Sequence, residues 1–428
     1  MSSIYIDRLS AFSLLSVICS GIKYSNIFYF NATPDAGSFV RVLRILGFLK
    51  NEPQFVDFRI TDVRDEKGEC TLLKLMGKEI NDICFEISDR KFASNAFLKR
   101  FSPYFDFSKI LFFFEKVLYD DIFEKAVVIN VTKWYAMHRV DTDDKSVVLF
   151  LKKGPWFRYL LHYITGLNIK PVEYKAGIDL SFLLYLSLAK NFVFSKIGSR
   201  LNFAGKCSNK NVDKREESPP QATNNKKPLI GAWYTGKPVT FDLKERSDLF
   251  WLLKSKIPYE QMLMYFCRTD IPATERISEI LNKEEVRSIA LSSQATDSED
   301  IPVWNPNNKY QRLRRQLIMM VFKGYLSCAL KGNFVSLFYL TNMVYFVLKY
   351  SYWYDFFNSN NIKIHVSPDD HQKAYVPKYL ALRECGGVSV SYQYSSGMDS
   401  SIHLSYGCDI VFSFGSAYRW TWEHSRSQ

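Results

Sequence analysis

Polar side chains, some of which could bind an anion, follow three apolar segments near the end of the chain. They are Asp369, Asp370, His371, Gln393, Ser395, Ser396 and Ser416. A histidine at the start of a helix can donate a hydrogen bond to an anion, and amide and hydroxyl groups can bind the edge of a base or a sugar. The two aspartates would repel a phosphate at the same helix terminus, so they are better interpreted as helix caps or as acceptors for hydroxyl groups.

The elements around these residues predict a βαβ unit followed by a further strand. Residues 363–367, 388–392 and 408–414 are short apolar segments of strand length, and the helix between the first two ends at Gly386 and Gly387. Such a crossover is right-handed and its strands are parallel, so their carboxyl ends lie along one edge of the sheet. The polar residues would then line one crevice. Alternatively, they are ordinary loop residues, because every strand is followed by a polar segment.

Length, charge and cysteine usage narrow the classes of protein to which the chain can belong. With 428 residues, of which 47% are hydrophobic, the chain is long enough for two domains with buried cores. The net charge of +12 indicates an anionic partner, whether a nucleotide, a phosphorylated lipid, a membrane surface or a nucleic acid, although a basic drift in composition would have the same effect. The eight cysteines are scattered without a Cys-x-x-Cys pair, so we expect buried thiols in a reducing compartment and no structural zinc.

One break in composition divides the chain. Residues 206–228 contain almost no large apolar side chain and include a Pro-Pro pair, which is typical of a solvated linker. Before this linker, strand-like and helix-like segments alternate, which predicts an N-terminal α/β domain over residues 1–205. Its predicted strands are residues 4–6, 27–30, 126–131, 147–151 and 170–174, with a helix at residues 156–163 and a strand pair within residues 57–86. After the linker, residues 229–428 are expected to form a second α/β domain, in which residues 229–234 and 239–242 are strand candidates.

Three segments carry a resemblance to a known family. Residues 246–252, taken together with residues 370–372 and 381–393, resemble bacterial surface-polysaccharide biosynthesis proteins. These include glycosyltransferases of the two-Rossmann type, GT-B, and more distantly the glycerophosphotransferases of teichoic-acid assembly. The resemblance implies two Rossmann-like domains, of which the N-terminal one binds the acceptor and the C-terminal one binds the donor.

The same resemblance implies a reaction and a location. It implies transfer of a sugar from a nucleotide-activated donor, bound in a cleft between the domains, to a glycan or lipid-linked acceptor, with no metal and no other cofactor. The protein would then be cytoplasmic and would contact the inner membrane peripherally. Because only a short segment follows residue 414, the C-terminal domain is expected to be abbreviated or truncated.

The residue types nominate a site for this transfer. An inverting reaction needs a base for the acceptor hydroxyl, and it needs positive charge or N–H groups for the departing phosphate. Candidate bases are Glu173, Asp179 and Asp242, with Asp248 as a further one. Candidate donor-binding residues are Arg246, His371, Arg383, Gln393, Ser395, Ser396 and Ser416. Each carboxylate could instead be a surface or capping residue, and Arg383 could pair with a neighbouring carboxylate.

Several other functions are disfavoured. There is no glycine-rich phosphate loop, which argues against a dinucleotide enzyme. Asp141 and Asp143 have the spacing of a metal-binding Asp-x-Asp pair, but their Lys-flanked surroundings favour a solvated turn, so we expect no metal. The aromatic residues are spaced as in a core, so we do not expect a nucleic-acid partner, and the apolar segment 334–348 is too short to cross a bilayer. A non-catalytic α/β binding or scaffold protein is the alternative function.

Overall fold

The chain folds as two compact units in a computed structural model. The structure describes residues 2–57, 63–64, 67–70, 80–138, 146–163, 169–174, 227, 229–234, 236, 239–242, 244, 249–253, 255–267, 273–333, 335–368, 372–392, 407–413 and 415. The first unit comprises residues 1–73 and 124–224, and the second comprises residues 74–123 and 225–428. This division differs from the domain boundaries expected from composition, because residues 74–123 group with the second unit.

The first unit contains a five-stranded parallel sheet. Its strands are β1 (Ser2–Ile6), β2 (Tyr24–Tyr29), β3 (Gln54–Phe55), β4 (Ser146–Lys152) and β5 (Ile169–Tyr174). Their spatial order is β3-β2-β1-β4-β5, and every pair of neighbours is parallel. This order is that of a Rossmann-like sheet, in which the chain builds outward from β1 in both directions. Strands predicted at residues 4–6, 27–30, 147–151 and 170–174 are confirmed.

Two helices of the first unit connect its first three strands. Helix α1 (Ala11–Cys19) begins at Ser10, whose side chain accepts a hydrogen bond from the backbone N–H of Ser13 at 3.2 Å. The Ser13 hydroxyl accepts one in return from the Ser10 backbone N–H at 2.8 Å, so the two residues form a capping box. Helix α2 (Ala36–Ile45) buries Val40 and Leu43 in the same apolar core that covers β1 and β2.

The segment between β3 and β4 is helical where the structure describes it most fully. It contains α3 (Ile80–Ile87), a π-helical turn (Ser88–Phe92), α4 (Ala96–Lys99) and α5 (Phe107–His138). The strand predicted at residues 126–131 is therefore wrong. β-branched residues favour a strand locally, but here burial at helical spacing, as at Ile122, Ala126 and Ile129, overrides that preference.

The described residues of the segment 57–86 do not form the strand pair that was expected there. In the described part of this segment, Arg64 and Cys70 make a single antiparallel bridge, and residues 80–86 belong to α3. The part of the expected second strand that the structure describes, residues 80–86, is therefore helical. After β4, the helix predicted at residues 156–163 is present as a 3-10 helix (Phe157–Tyr163).

The second unit contains a six-stranded parallel sheet. Its strands are β6 (Leu229–Trp233), β7 (Met262–Phe266), β8 (Arg287–Ala290), β9 (Ile362–Pro368), β10 (Val388–Tyr392) and β11 (Ile410–Phe412). Their spatial order is β11-β10-β9-β6-β7-β8, with all neighbours parallel. This is the doubly wound order of a dinucleotide-binding sheet, read outward from β6. The described residues thus supply six strands to this sheet.

Helices cover the second sheet and link its strands. They are α6 (Phe250–Leu253), α7 (Glu275–Lys283), α8 (Asn308–Leu330), α9 (Leu337–Asn360) and α10 (Tyr375–Glu384), with short 3-10 helices at Tyr259–Gln261 and Ser293–Ala295. The predicted βαβ unit is confirmed as β9, α10 and β10, with β11 as the further strand. No strand forms at residues 239–242, where one was expected. None of the described helices is both long and apolar enough to cross a membrane.

The turn between α10 and β10 requires two glycines for different reasons. Gly386 has φ +70°, a left-handed conformation that ends the helix and that glycine adopts without strain. Gly387 packs so tightly that a Cβ atom there would lie 2.8 Å from the backbone oxygen of Lys363 and 2.6 Å from a methyl group of Leu382. Helix α10 can therefore return to the sheet within two residues only because neither position carries a side chain.

Candidate functional site

The topology of the second sheet places a crevice at the end of β6 and β9. These two strands are neighbours, but the chain leaves them toward opposite edges of the sheet, to β7 in one case and to β10 in the other. At such a switch point the two connections separate, and ligands of doubly wound sheets bind in the gap outside the carboxyl ends of the strands. The crevice predicted from the polar loops is at this edge of the sheet.

An open pocket lies at this switch point, with about 320 Å³ of space when the solvent at its mouth is counted. Its lining comes from the ends of β6, β7, β9 and β10 and from the segment that follows β6. The lining residues are Ala232, Trp233, Tyr234, Val239, Leu249, Trp251, Met264, Val366, Pro368 and Tyr392. All of them are apolar or aromatic and none is charged, so the pocket suits the flat face of a ring better than it suits a phosphate.

Three aromatic side chains at the pocket are supported from behind by the core. The ring of Tyr234 lies 5.0 Å from that of Phe266, and burial raises the pKa of the Tyr234 hydroxyl. Trp251 packs against the cores on both sides of the switch point, and Tyr392 is buried in the smaller of these cores. These rings are held in place before any ligand arrives. Tyr234 and Tyr392 carry a signal in the sequence, an aromatic residue at the end of a strand, whereas Trp251 lies on α6 and carries none.

A buried polar network lies on the opposite face of the same strands. The hydroxyl of Tyr265 on β7 is 2.7 Å from Nε2 of His365 on β9, and it accepts a hydrogen bond from Nζ of Lys378 on α10 at 2.9 Å. The ammonium group of Lys378 also lies 4.7 Å from the ring centre of Trp353 and 4.8 Å from that of Tyr375. The network therefore joins two strands and two helices beneath the switch point.

The electrostatics of this network keep the histidine neutral. Burial, and secondarily the charge of Lys378, lower the pKa of His365 well below its usual value. Since Lys378 donates to the Tyr265 oxygen, the hydroxyl proton is free to point to Nε2, which assigns the histidine proton to Nδ1. Nδ1 and the hydroxyl of Ser367, two residues further along β9, are buried without a hydrogen-bond partner.

Two of the three candidate bases are described, and both have local roles. Asp242 is exposed and its Oδ1 accepts a hydrogen bond from the backbone N–H of Lys244 at 2.9 Å, which closes a turn. Glu173 lies on β5 of the first unit, with a carboxylate oxygen 3.9 Å from Nζ of Lys153. In the structure both carboxylates therefore have the alternative role that the sequence left open, that of a surface or capping residue. Neither residue lines the pocket.

Arg383 is the one candidate donor-binding residue that the structure describes. It is in the last turn of α10, and its guanidinium lies 3.7 Å from a carboxylate oxygen of Asp106. A hydrogen bond from Ser108, together with the charge of Arg383 as a smaller cause, lowers the pKa of Asp106. The site at the switch point is at the other end of α10, about 12 Å along the helix axis. Arg383 therefore pairs with a neighbouring carboxylate, as the alternative interpretation held.

The remaining candidates lie outside the described residues. They are Asp179, Arg246, His371, Gln393, Ser395, Ser396 and Ser416, and the same holds for Asp141, Asp143, Asp248, Asp369 and Asp370. In the chain, Gln393 follows the pocket residue Tyr392 directly, and His371 follows the pocket residue Pro368 by three positions. Their roles stay predictions.

The first sheet has a buried carboxylate at its own switch point, which sequence reasoning did not nominate. Asp7 directly follows β1, and its Oδ1 accepts hydrogen bonds from the hydroxyl of Tyr174 at 2.7 Å and from the backbone N–H of Arg8 at 2.6 Å. Its Oδ2 accepts one from the backbone N–H of Lys152 at 2.6 Å. Burial raises the pKa of Asp7, although these hydrogen bonds oppose the shift. Asp7 therefore ties the ends of β1, β4 and β5 together.

Neither metal ligation nor similarity identifies the site. Among the residues that the structure describes, no group of three or more His, Cys, Asp or Glu side chains could hold a metal ion. Comparison of the chain with protein-family models, curated proteins and solved structures finds no match. The resemblance to polysaccharide glycosyltransferases accordingly stays a hypothesis, and only the geometry of the second sheet bears on function.

Proposed function

We propose that the second unit binds the nucleotide of an activated sugar, and that the chain is a glycosyltransferase of the GT-B type acting in surface-polysaccharide assembly. The observation that carries the proposal is the aromatic, uncharged pocket at the switch point of a doubly wound sheet. In this proposal the base lies against Tyr234, Trp251 and Tyr392, whose rings can stack on any nucleobase. The sugar is then transferred to a glycan or lipid-linked acceptor.

Helix α10 supplies a place for the phosphates in this proposal. It follows β9, so its N-terminal turn lies at the same edge of the sheet as the pocket. The N–H groups and the dipole at a helix N-terminus favour an anion, which allows the uncharged pocket to hold the base while the phosphates lie beside it. His371 precedes this helix in the chain and stays our first choice as a phosphate contact, with Gln393 as a contact to the base or sugar.

A nucleotide panel with a matched pair of variants tests the binding step. The full chain is titrated with CMP, CDP, UDP, GDP and dTDP sugars, and thermal stabilisation and affinity are measured. We expect one nucleotide to stabilise the protein and Trp251→Ala to weaken its binding about tenfold, because stacking on one aromatic ring contributes about 1–3 kcal/mol. The control Tyr104→Ala removes an aromatic ring that is 62% exposed and is not part of the pocket lining. The proposal is wrong if no nucleotide binds or if both variants bind equally well.

A non-catalytic binding protein is the second candidate, and one observation favours it. Both described candidate bases, Asp242 and Glu173, are engaged in a turn and an ion pair, and neither is a lining residue of the pocket. Turnover of the nucleotide sugar that binds separates the two functions. For an enzyme, we expect one of Asp179→Asn, Glu173→Gln and Asp242→Asn to lower turnover by about a hundredfold or more, with nucleotide affinity unchanged. Tight binding with no turnover would establish the binding protein instead.

A further inference from the structure

Three neighbouring strands of the second sheet, β9, β10 and β11, expose apolar side chains and bury polar ones. On one face of these strands the side chains are polar and fully buried; they are His365, Ser367, Ser389 and Ser391. On the other face, which we call the β11 face, lie four apolar side chains with exposed fractions of 38–63%; they are Ile364, Val388, Ile410 and Phe412. Parallel sheets are covered on both faces, so this reversed polarity indicates that a partner buries the β11 face.

The pairing of the strands makes the β11 face one continuous surface. The paired residues are Ile364 and Val388, Val390 and Ile410, and Tyr392 and Phe412. Paired residues of neighbouring parallel strands point to the same side of a sheet, so these side chains lie side by side. Tyr392 also lines the pocket, so the apolar surface extends from the pocket to the edge of the sheet at β11.

The helices that cover the second sheet leave the β11 face open. Helices α9 and α10 lie on the opposite face, where the ring of Phe357 is 5.7 Å from that of His365 and Lys378 donates to Tyr265. On the side of the β11 face, α6 and α7 contribute to the core over β6, β7 and β8. Within the described part of the chain, the four exposed side chains at β9, β10 and β11 therefore stay in contact with solvent.

We infer that the β11 face packs against the β11 face of a second copy of the chain, sheet on sheet about a two-fold axis. The absence of charge from this surface favours this occupant, because a two-fold contact places identical side chains together and like charges there would repel. The charged residues that flank it in sequence are engaged elsewhere: Lys363 donates to the carbonyl oxygen of Cys385, and Asp409 accepts from the hydroxyl of Ser389 at 2.7 Å. Each copy has one such face, so a dimer covers both, together with the apolar edge strand β11.

Salt distinguishes this contact from one with a charged partner. Two copies with a net charge of +12 repel each other, so the dimer depends on apolar burial alone and should become tighter as salt screens the repulsion. Binding to an acidic partner would weaken with salt instead. Sedimentation of the full chain without nucleotide, at about 50 mM and about 500 mM sodium chloride, measures the monomer–dimer equilibrium. We expect a dimer in the micromolar concentration range, with a lower dissociation constant at the higher salt concentration.

Substitutions on the β11 face test its place in the contact. Phe412→Asp should raise the dissociation constant of the dimer about a hundredfold or more, because a two-fold contact loses the apolar side chain twice and gains two like charges. Phe412→Leu should keep the dimer. The double variant Val388→Thr, Ile410→Thr keeps β-branched side chains in both strands and should weaken the dimer about tenfold, which tests the face even if Phe412→Asp does not fold.

A matched control shows whether position or general hydrophobicity matters. Phe55 lies on β3, the edge strand of the first sheet, and is 58% exposed, so Phe55→Asp makes the same change elsewhere and should leave the dimer unchanged. A wild-type chain that stays monomeric throughout the micromolar range would overturn the inference. So would a dimer that salt weakens, or one that Phe55→Asp disrupts as strongly as Phe412→Asp. No nucleotide is present in these measurements, so their failure does not affect the proposed pocket.

Discussion

Replacing Tyr265 by phenylalanine removes a single oxygen atom from the centre of the buried network under the switch point. That oxygen accepts a hydrogen bond from Lys378 at 2.9 Å and lies 2.7 Å from Nε2 of His365. The phenyl ring keeps the edge-to-face contacts that Tyr265 makes with Trp353 and Phe356, at centroid distances of 5.7 and 5.3 Å. The substitution therefore tests the hydrogen bonds and leaves the shape of the core almost unchanged.

The expected loss of stability follows from the groups that are left behind. His365 would have neither ring nitrogen bonded, since Nδ1 already has no partner, and a buried polar group without a hydrogen bond costs about 1–3 kcal/mol. Lys378 would lose its bond to a hydroxyl but keep its contact with the face of Trp353, which limits its cost to the same range. We therefore expect Tyr265→Phe to lower the free energy of unfolding by about 2–6 kcal/mol.

Urea unfolding followed by tryptophan fluorescence measures this change. Tyr354→Phe is the matched control, because Tyr354 stacks on Tyr350 at 6.1 Å in the same region and its hydroxyl has no hydrogen bond among the described residues. The control should change the free energy of unfolding by less than about 0.5 kcal/mol. If Tyr265→Phe is as mild as the control, the network contributes nothing to stability and the reasoning above is refuted.

Three further predictions concern other buried groups. His365 stays neutral in the folded state, whereas the same side chain takes up a proton near pH 6.5 in the unfolded chain. The free energy of unfolding should therefore fall as the pH drops from about 7 to 5. His365→Leu should flatten this dependence in urea titrations at several pH values. Asp7→Asn should lower the free energy of unfolding in urea by about 1–3 kcal/mol, because one amide cannot accept all the hydrogen bonds donated by Tyr174 and two backbone N–H groups. An unchanged urea midpoint would contradict the role of Asp7 in joining the strand ends. Gly387→Ala should lower the thermal midpoint of unfolding by several degrees. The control Gly37→Ala should leave the midpoint the same or raise it, because a Cβ atom there meets nothing within 4 Å. Equal effects of the two substitutions would rule out the close approach of Gly387 to Lys363 and Leu382.

Elements with short-range signals could be predicted from the sequence. Helix α10 ends at a glycine pair, and β9 and β10 on either side of it are apolar segments of strand length, so all three were placed correctly. The strand predicted at residues 126–131 was wrong because the strand preference of β-branched side chains is weak. The whole scale of strand propensities spans only about 1 kcal/mol. Burial of one long helix from both sides outweighs such a preference, and that burial depends on segments far away in the chain.

The candidate site was predicted in position but not in character. The strand ends of the second sheet were expected to form a crevice, and a pocket lies there. Its lining is aromatic, however, while the polar residues nominated from sequence are either outside the described residues or, as with Arg383, paired elsewhere. Polar residues after strands are common for reasons of solvation, so they identify an edge of a sheet more reliably than they identify the side chains that face a ligand there.

The sequence by itself determined the class of the fold, the repeated strand–helix alternation and the ends of individual helices, because caps, glycine turns and hydrophobic periods act over fewer than about ten residues. Tertiary structure alone decided that residues 74–123 belong with the second unit and that β6 pairs with β9, where Leu229 meets Ile362. Pairing between strands so far apart in the chain depends on which faces can be buried together, and that is a property of the assembled sheet. The aromatic pocket and the network of Tyr265, His365 and Lys378 follow from the same pairing, so no local pattern could have revealed them.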